Sequence, residues 1–293
     1  MTVAGRTLTC GDGTTIVLHS SVTPGCVQFA LVPQGGNFTL NCLTPNLTGL
    51  WWDPAEDGRG TWVSHQGNTI FAVDYAFDAT GAPRWRTLIA SKGAEGNYAG
   101  NVYTTSGPSF QGTNFDPNSV SPNWLGTGSI TLVDPDHVRS NFFEAAARTL
   151  VRQQFGALPV CVFGQVADLT TLTNYTDLWW KSDESGWGIN VAHQGDTIFA
   201  AWYTYAADST PMWLVVTAAK TGPGIYEGDL YQATGPAGPA MQAKPVGAAT
   251  FTFTNGNSAT FASSVQLAGM ASPVTQVKAI TRQIFTAPGA ACQ

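Results

Sequence analysis

Two kinds of residue able to do chemistry recur at matched places in this chain. His65 and His193 each sit in a His-Gln-Gly-Asn/Asp turn, and Glu56 and Glu184 each stand just before a Gly-x-Gly, Gly58-Arg59-Gly60 and Gly186-Trp187-Gly188. Glycoside hydrolysis needs two carboxylates about 5 to 9.5 Å apart. Each copy offers one matched acid, so Glu56 and Glu184 are expected to cap loops. Metal binding by histidine needs companion ligands, and His19 and His137 lie at unrelated single-copy places. His65 and His193 are therefore expected to bond turn backbone. Three acid-bearing turns, Asp53 to Gly58, Asn114 to Asn118 and Asp134 to Asp136, could hold Ca²⁺. None has the spacing of an EF-hand, and ordinary turn chemistry accounts for them. No nucleophile elbow, phosphate loop or dinucleotide fingerprint occurs. The expectation is a non-enzymatic chain without cofactor or metal.

These residues are matched because the chain is duplicated. Leu50-Trp51-Trp52 to Ala72 returns as Leu178-Trp179-Trp180 to Ala200, and the offset of 128 holds without a gap from Leu50 to Pro108 against Leu178 to Pro236. A repeat of that length is a domain duplication. Each copy reads as short runs separated by turn signals. The first gives Gly60 to Gln66, Thr69 to Phe77, Arg84 to Ala90, Tyr98 to Tyr103, Gly128 to Val133, Val138 to Phe143 and Arg148 to Phe155. With the Leu-Trp-Trp segment in front, this predicts seven or eight antiparallel strands per copy. An up-and-down barrel closes such a meander and removes its edges; a β-sandwich is the alternative. Glu144-Ala145-Ala146-Ala147 is read as a hairpin tip. The fold class is all-β, with a β appendage at 1–45, one barrel at 46–160 and a second at 161–293.

The net charge of −6 and the absence of a basic stripe exclude nucleic acid as a partner. No apolar run is long enough to span a membrane, and the amino terminus lacks the apolar core of a signal peptide. The cysteines Cys10, Cys26, Cys42, Cys161 and Cys292 form no CxxC pair and stand outside the repeated strands. Such placement suits disulfides in an oxidising compartment. The expectation is a mature secreted or surface chain whose signal has been removed. Because the first and last strands of a barrel are neighbours, Cys161 and Cys292 are predicted to pair, with Cys42 as the competing partner of Cys161. One disulfide is expected among the appendage cysteines.

Two resemblances bear on this. Leu172 to Trp180, Glu184-Ser185-Gly186-Trp187-Gly188-Ile189-Asn190, His193 to Ala200 and Lys278 to Phe285 resemble a repeat module of secreted proteobacterial proteins. That implies export and modularity and names no activity. Gly49-Leu50-Trp51 with Arg152 is similar to the Gly-x-Trp and terminal Arg of lipocalin-like and avidin-like barrels, where the Arg packs over the Trp and closes one end. The second copy matches through Trp179 and Arg282 but has Asp177 in place of the Gly.

A two-residue loop at Gly67-Asn68 sets the register of the first hairpin and places Arg59, Thr61, Val63, His65, Ile70, Ala72 and Asp74 on one face. The opposite face carries Phe71, Tyr75 and Trp85, kept as Phe199, Tyr203 and Trp213. On the first face Arg59, Asp74, Arg84 and Arg86 become Trp187, Trp202, Met212 and Leu214. Because buried unpaired charge is costly, that face is predicted to lie outward in both barrels, with the conserved aromatic face as core. Trp187, Trp202, Met212 and Leu214 are then an exposed patch that binds a ligand, carbohydrate or another protein chain, and Arg59, Asp74 and Arg86 its charged counterpart. If the assignment is inverted, the first barrel encloses the charges.

Overall fold

A computed structural model describes residues 46–93, 96–112, 114–163, 168–287 and 289–293, together with the backbone of four strands nearer the amino terminus. Those four pair as two hairpins: β1 (Arg6–Thr9) with β2 (Thr15–Leu18), and β3 (Gln28–Gln34) with β4 (Asn37–Leu43). The disulfide expected among Cys10, Cys26 and Cys42 lies outside the described residues.

Eight strands close the first barrel: β5 (Gly49–Trp52), β6 (Gly60–Gln66), β7 (Thr69–Phe77), β8 (Pro83–Lys92), β9 (Asn97–Ser106), β10 (Ser121–Asp134), β11 (His137–Asn141) and β12 (Arg148–Arg152), with β12 pairing back onto β5. A short ladder of β13 (Cys161–Phe163) and β22 (Ala290–Cys292) frames the second barrel. That barrel comprises β14 (Asp177–Trp180), β15 (Gly188–Gln194), β16 (Thr197–Tyr205), β17 (Pro211–Gly222), β18 (Ile225–Thr234), β19 (Gln242–Asn255), β20 (Ser258–Val265) and β21 (Val274–Arg282). Both are antiparallel meanders, so each strand bonds its sequence neighbours and no edge is left open. The expected Cys161–Cys292 disulfide staples β13 to β22, where the chain enters and leaves the second barrel.

The predicted register holds: Thr61 faces Asp74, Ser64 faces Phe71, Asp74 faces Arg86 and Tyr75 faces Trp85. The predicted sense of the faces is inverted. Thr61, Val63, His65, Ile70, Ala72 and Asp74 are buried inside the first barrel, and Trp187, Trp202, Met212 and Leu214 are buried inside the second. The four residues taken as an exposed patch are core.

Two physical reasons explain the correction. The charges inside the first barrel are paired with one another, so the cost that argued against burying them is largely offset. The aromatic face points out of each barrel but is covered by the other barrel. Leu50, Trp62, Val73, Tyr75 and Trp85 of the first pack against Ala192, Ala201, Tyr203, Tyr205 and Trp213 of the second, in a core belonging to neither alone.

The joint between the barrels is near two-fold symmetric. Trp85 Nε1 donates to Thr204 O (3.0 Å), and Trp213 Nε1 donates to Ala76 O (3.0 Å). Gly107 N donates to Ser209 O (3.2 Å), and Gly235 N donates to Gly81 O (2.9 Å). Gln66 donates to Gln283 O (2.8 Å) and accepts from the Phe285 and Thr286 N–H groups. Gln194 does the same to the other tail, donating to Gln153 O (3.0 Å) and accepting from the Phe155 and Gly156 N–H groups. Each barrel thus clamps the chain leaving its partner.

Candidate functional site

One end of each barrel is closed by the same parts. The Arg152 guanidinium lies 4.2 Å from the Trp51 ring, and that of Arg282 lies 5.1 Å from the Trp179 ring. Such stacking contributes roughly 0.5 to 2 kcal/mol. The histidines latch the segment entering each barrel. His65 Nδ1 accepts from Leu47 N (3.1 Å) and the His65 backbone N–H donates to Thr48 Oγ1 (3.0 Å); His193 Nδ1 accepts from Tyr175 N (3.2 Å) and the His193 backbone N–H donates to Thr176 Oγ1 (2.9 Å). Both rings bond the entering segment, at a partner 18 residues away in sequence, and both also meet the backbone of their own turn, at Gly67 and Gly195. An accepting Nδ1 puts the proton of the neutral ring on Nε2. Burial, with a smaller contribution from Lys92, pushes His65 down to about 3, so the ring is neutral at ordinary pH.

The opposite end is where the barrels differ. In the first, Asp74 is fully buried and accepts from four donors: Thr61 Oγ1 (3.1 Å) and Arg148 Nη2 (2.9 Å) on Oδ1, Arg59 Nη2 (3.1 Å) and Arg86 Nη2 (2.8 Å) on Oδ2. Glu144 folds in from the tip between β11 and β12 to meet Arg59, Arg86 and Arg148, and Glu56 takes Arg148 Nη1 at 2.9 Å. Three guanidiniums meet three carboxylates. Burial alone would raise the Asp74 carboxyl, but Arg59, Arg86 and Arg148 outweigh it and hold it below the usual carboxylate range. The predicted binding residues Arg59, Asp74 and Arg86 thus pair with one another inside the barrel.

In the second barrel the corresponding space holds Trp187, Trp202, Leu214 and Phe261. Its lid comes from the other barrel. Phe110, in the segment joining β9 to β10, inserts against Trp202 with ring centres 5.6 Å apart and donates its N–H to Tyr205 O (3.2 Å). Glu184 keeps the role of Glu56, accepting from Lys278 Nζ (2.6 Å) and from Trp187 Nε1 (3.0 Å). Both repeated glutamates are paired to a cation of the last strand of their barrel, Arg148 and Lys278.

Open space remains beside the joint. A groove of about 200 Å³ is lined by Phe71, Trp85, Thr87 and Thr105 of the first barrel and by Trp180, Trp187, Gly188 and Tyr203 of the second. Tyr203 lines it, though its hydroxyl is fully enclosed and has no hydrogen-bond partner. From Thr87 the β8, β9 and β10 registers run through Tyr103 to Trp124, which is 59 % exposed. A second cleft, of about 230 Å³, lies at the Arg/Trp end. Of the predicted binding residues only Trp187 reaches the groove. Trp180, Thr105 and Tyr203 were not predicted, since neither copy alone signals which outward aromatics the other barrel leaves uncovered. The acid-bearing turns close on themselves, with Asp53 Oδ1 accepting from Ala55 N and Asp116 Oδ1 from Asn118 N.

Among the described residues no helix is long and apolar enough to cross a membrane. Comparison with protein-family models, with curated proteins and with solved structures found no match.

Proposed function

We propose that this is a secreted, non-enzymatic binding module whose ligand, a carbohydrate, sits in the aromatic groove between the two barrels. The observation that carries this reading is the groove itself, about 200 Å³ of open space with Trp85, Trp180 and Phe71 on its walls. Flat aromatic walls take the apolar face of a sugar ring at little conformational cost, while threonine hydroxyls meet its edge. The disulfide agrees with export. Binding is tested by a glycan array followed by calorimetry on Trp180→Ala, which removes a partly exposed aromatic wall of the groove. The expected result is at least about tenfold weaker binding; undiminished binding would overturn the reading.

A second reading, a surface or assembly module contacting other chains, is favoured by Trp124, Ile89 and Phe143, all more than half exposed on the first barrel. It predicts concentration-dependent association in sedimentation that Trp124→Ala abolishes.

A further inference from the structure

The two Arg/Trp ends differ by one carboxylate. Arg282 gives Nε to Gly256 O, Nη1 to Thr176 O (3.0 Å) and Nη2 to Asn174 O (2.6 Å), and Nη1 also reaches Asp177 Oδ2 at 3.0 Å. Arg152 repeats the three backbone bonds, to Pro135 O (3.3 Å), Thr48 O (3.2 Å) and Asn46 O (3.1 Å). Its fourth partner is missing, because Gly49 stands where the second barrel has Asp177. Among the described residues Arg152 forms no ion pair. A Cβ placed on Gly49 would lie only 3.1 Å from Arg152 Nη1, so the guanidinium sits close against the glycine, and the room left for a carboxylate is the cleft beside it. Gly49 and Arg152 both line the 230 Å³ cleft, with Thr48, Thr176 and Asp136.

The geometry points to a binding site in the first barrel for an external carboxylate, seated against Arg152 where the second barrel uses its own Asp177. A guanidinium held in a fixed orientation by three backbone carbonyls is preorganised for such an anion, and charge-assisted bonds of this kind are about twice as strong as neutral ones. Burial, opposed by Asp136, lowers the Arg152 pKa to about 10, as expected of a cation short of compensating charge. Asp136 lies in the same cleft without pairing to Arg152, and its charge opposes an incoming anion. The cleft shares no lining residue with the aromatic groove, so the inference stands apart from the carbohydrate reading.

The test uses the full chain, following the arginine Nε–H resonances while sodium acetate is titrated at constant ionic strength against sodium chloride. The expected result is a saturable shift of the Arg152 signal in acetate alone, with Arg282, already filled by Asp177, unmoved. A silent Arg152, or equal shifts of both arginines, would overturn the site. Arg152→Lys keeps the charge but loses the fork and is expected to weaken acetate binding about tenfold. Because Arg152 also packs on Trp51, Asp136→Asn supplies an arm that leaves the barrel end intact. It is expected to tighten binding at least about threefold by removing the repulsion, and unchanged or weaker binding would equally reject the site.

Discussion

The two barrels are built on the same strands in the same register, yet one fills its mouth with charge and the other with rings. Where the first has Arg59, Asp74 and Arg86, the second has Trp187, Trp202 and Leu214, and all six are turned inward. Each solution is nearly complete, with Arg59 Nε left unpartnered in the first and Trp202 Nε1 in the second. Asp74 has its donors, and Glu144 comes from the barrel's own hairpin tip to balance the arginines. The apolar mouth needs an apolar lid and takes Phe110 from its neighbour. A barrel mouth is therefore a place where a polar network and a hydrophobic plug are interchangeable, provided that every member of the network is satisfied. The Arg/Trp stack at the closed end and the paired bonds of the joint are what both copies keep.

The largest expected effect comes from breaking the charged solution alone. Asp74→Ala leaves Arg59, Arg86 and Arg148 facing one another in the first barrel and is expected to cost about 3–5 kcal/mol by chemical denaturation. Converting that mouth to the apolar solution with Arg59→Trp, Asp74→Trp and Arg86→Leu together is expected to be neutral or stabilising by about 1–4 kcal/mol. Arg148 keeps Glu56 in that variant, as Lys278 keeps Glu184. A triple variant less stable than Asp74→Ala would show that the two mouths are not interchangeable.

A smaller effect probes the symmetry of the joint. Gln66→Ala strands the Phe285 and Thr286 N–H groups, and Gln194→Ala strands those of Phe155 and Gly156. Each is expected to cost about 1–3 kcal/mol, and clearly unequal losses would mean that the two clamps do not work alike.

The smallest effect per step is acid sensitivity. His65 titrates near 3 in the fold against about 6.5 in an unfolded chain, so as the pH falls below 6.5 the unfolded state takes up a proton that the fold excludes. Stability is expected to fall by up to about 1.4 kcal/mol per pH unit through that window. Asp74, held low by its arginines, contributes stability above the usual carboxylate range and loses it at still lower pH. The urea midpoint should therefore drop between pH 6.5 and 4, and His65→Asn, which keeps an acceptor for Leu47 N, should flatten the drop. A flat profile for the unsubstituted chain would sink the neutral, buried His65.

The sequence by itself determined what local chemistry and repetition can determine. Turn residues such as Gly67-Asn68 set the hairpin length and hence the register, because pairing has a period of two. The meander of short strands set the up-and-down order, which in turn made Cys161 and Cys292 neighbours. The repeated Trp and terminal Arg marked the end where they meet. Only the tertiary structure decided which face of each strand is inside. Alternation along β6 to β8 offers two amphipathic faces, and the rule that the aromatic one is core assumes that solvent covers the other. Here Phe71, Tyr75 and Trp85 face a second barrel rather than water, while the charges behind them are neutralised by Glu144 and Arg148, residues distant in sequence. Burial by a neighbour and compensation from afar are non-local quantities, so the candidate site, which lies where one barrel fails to cover the other, could be read only from the assembled pair.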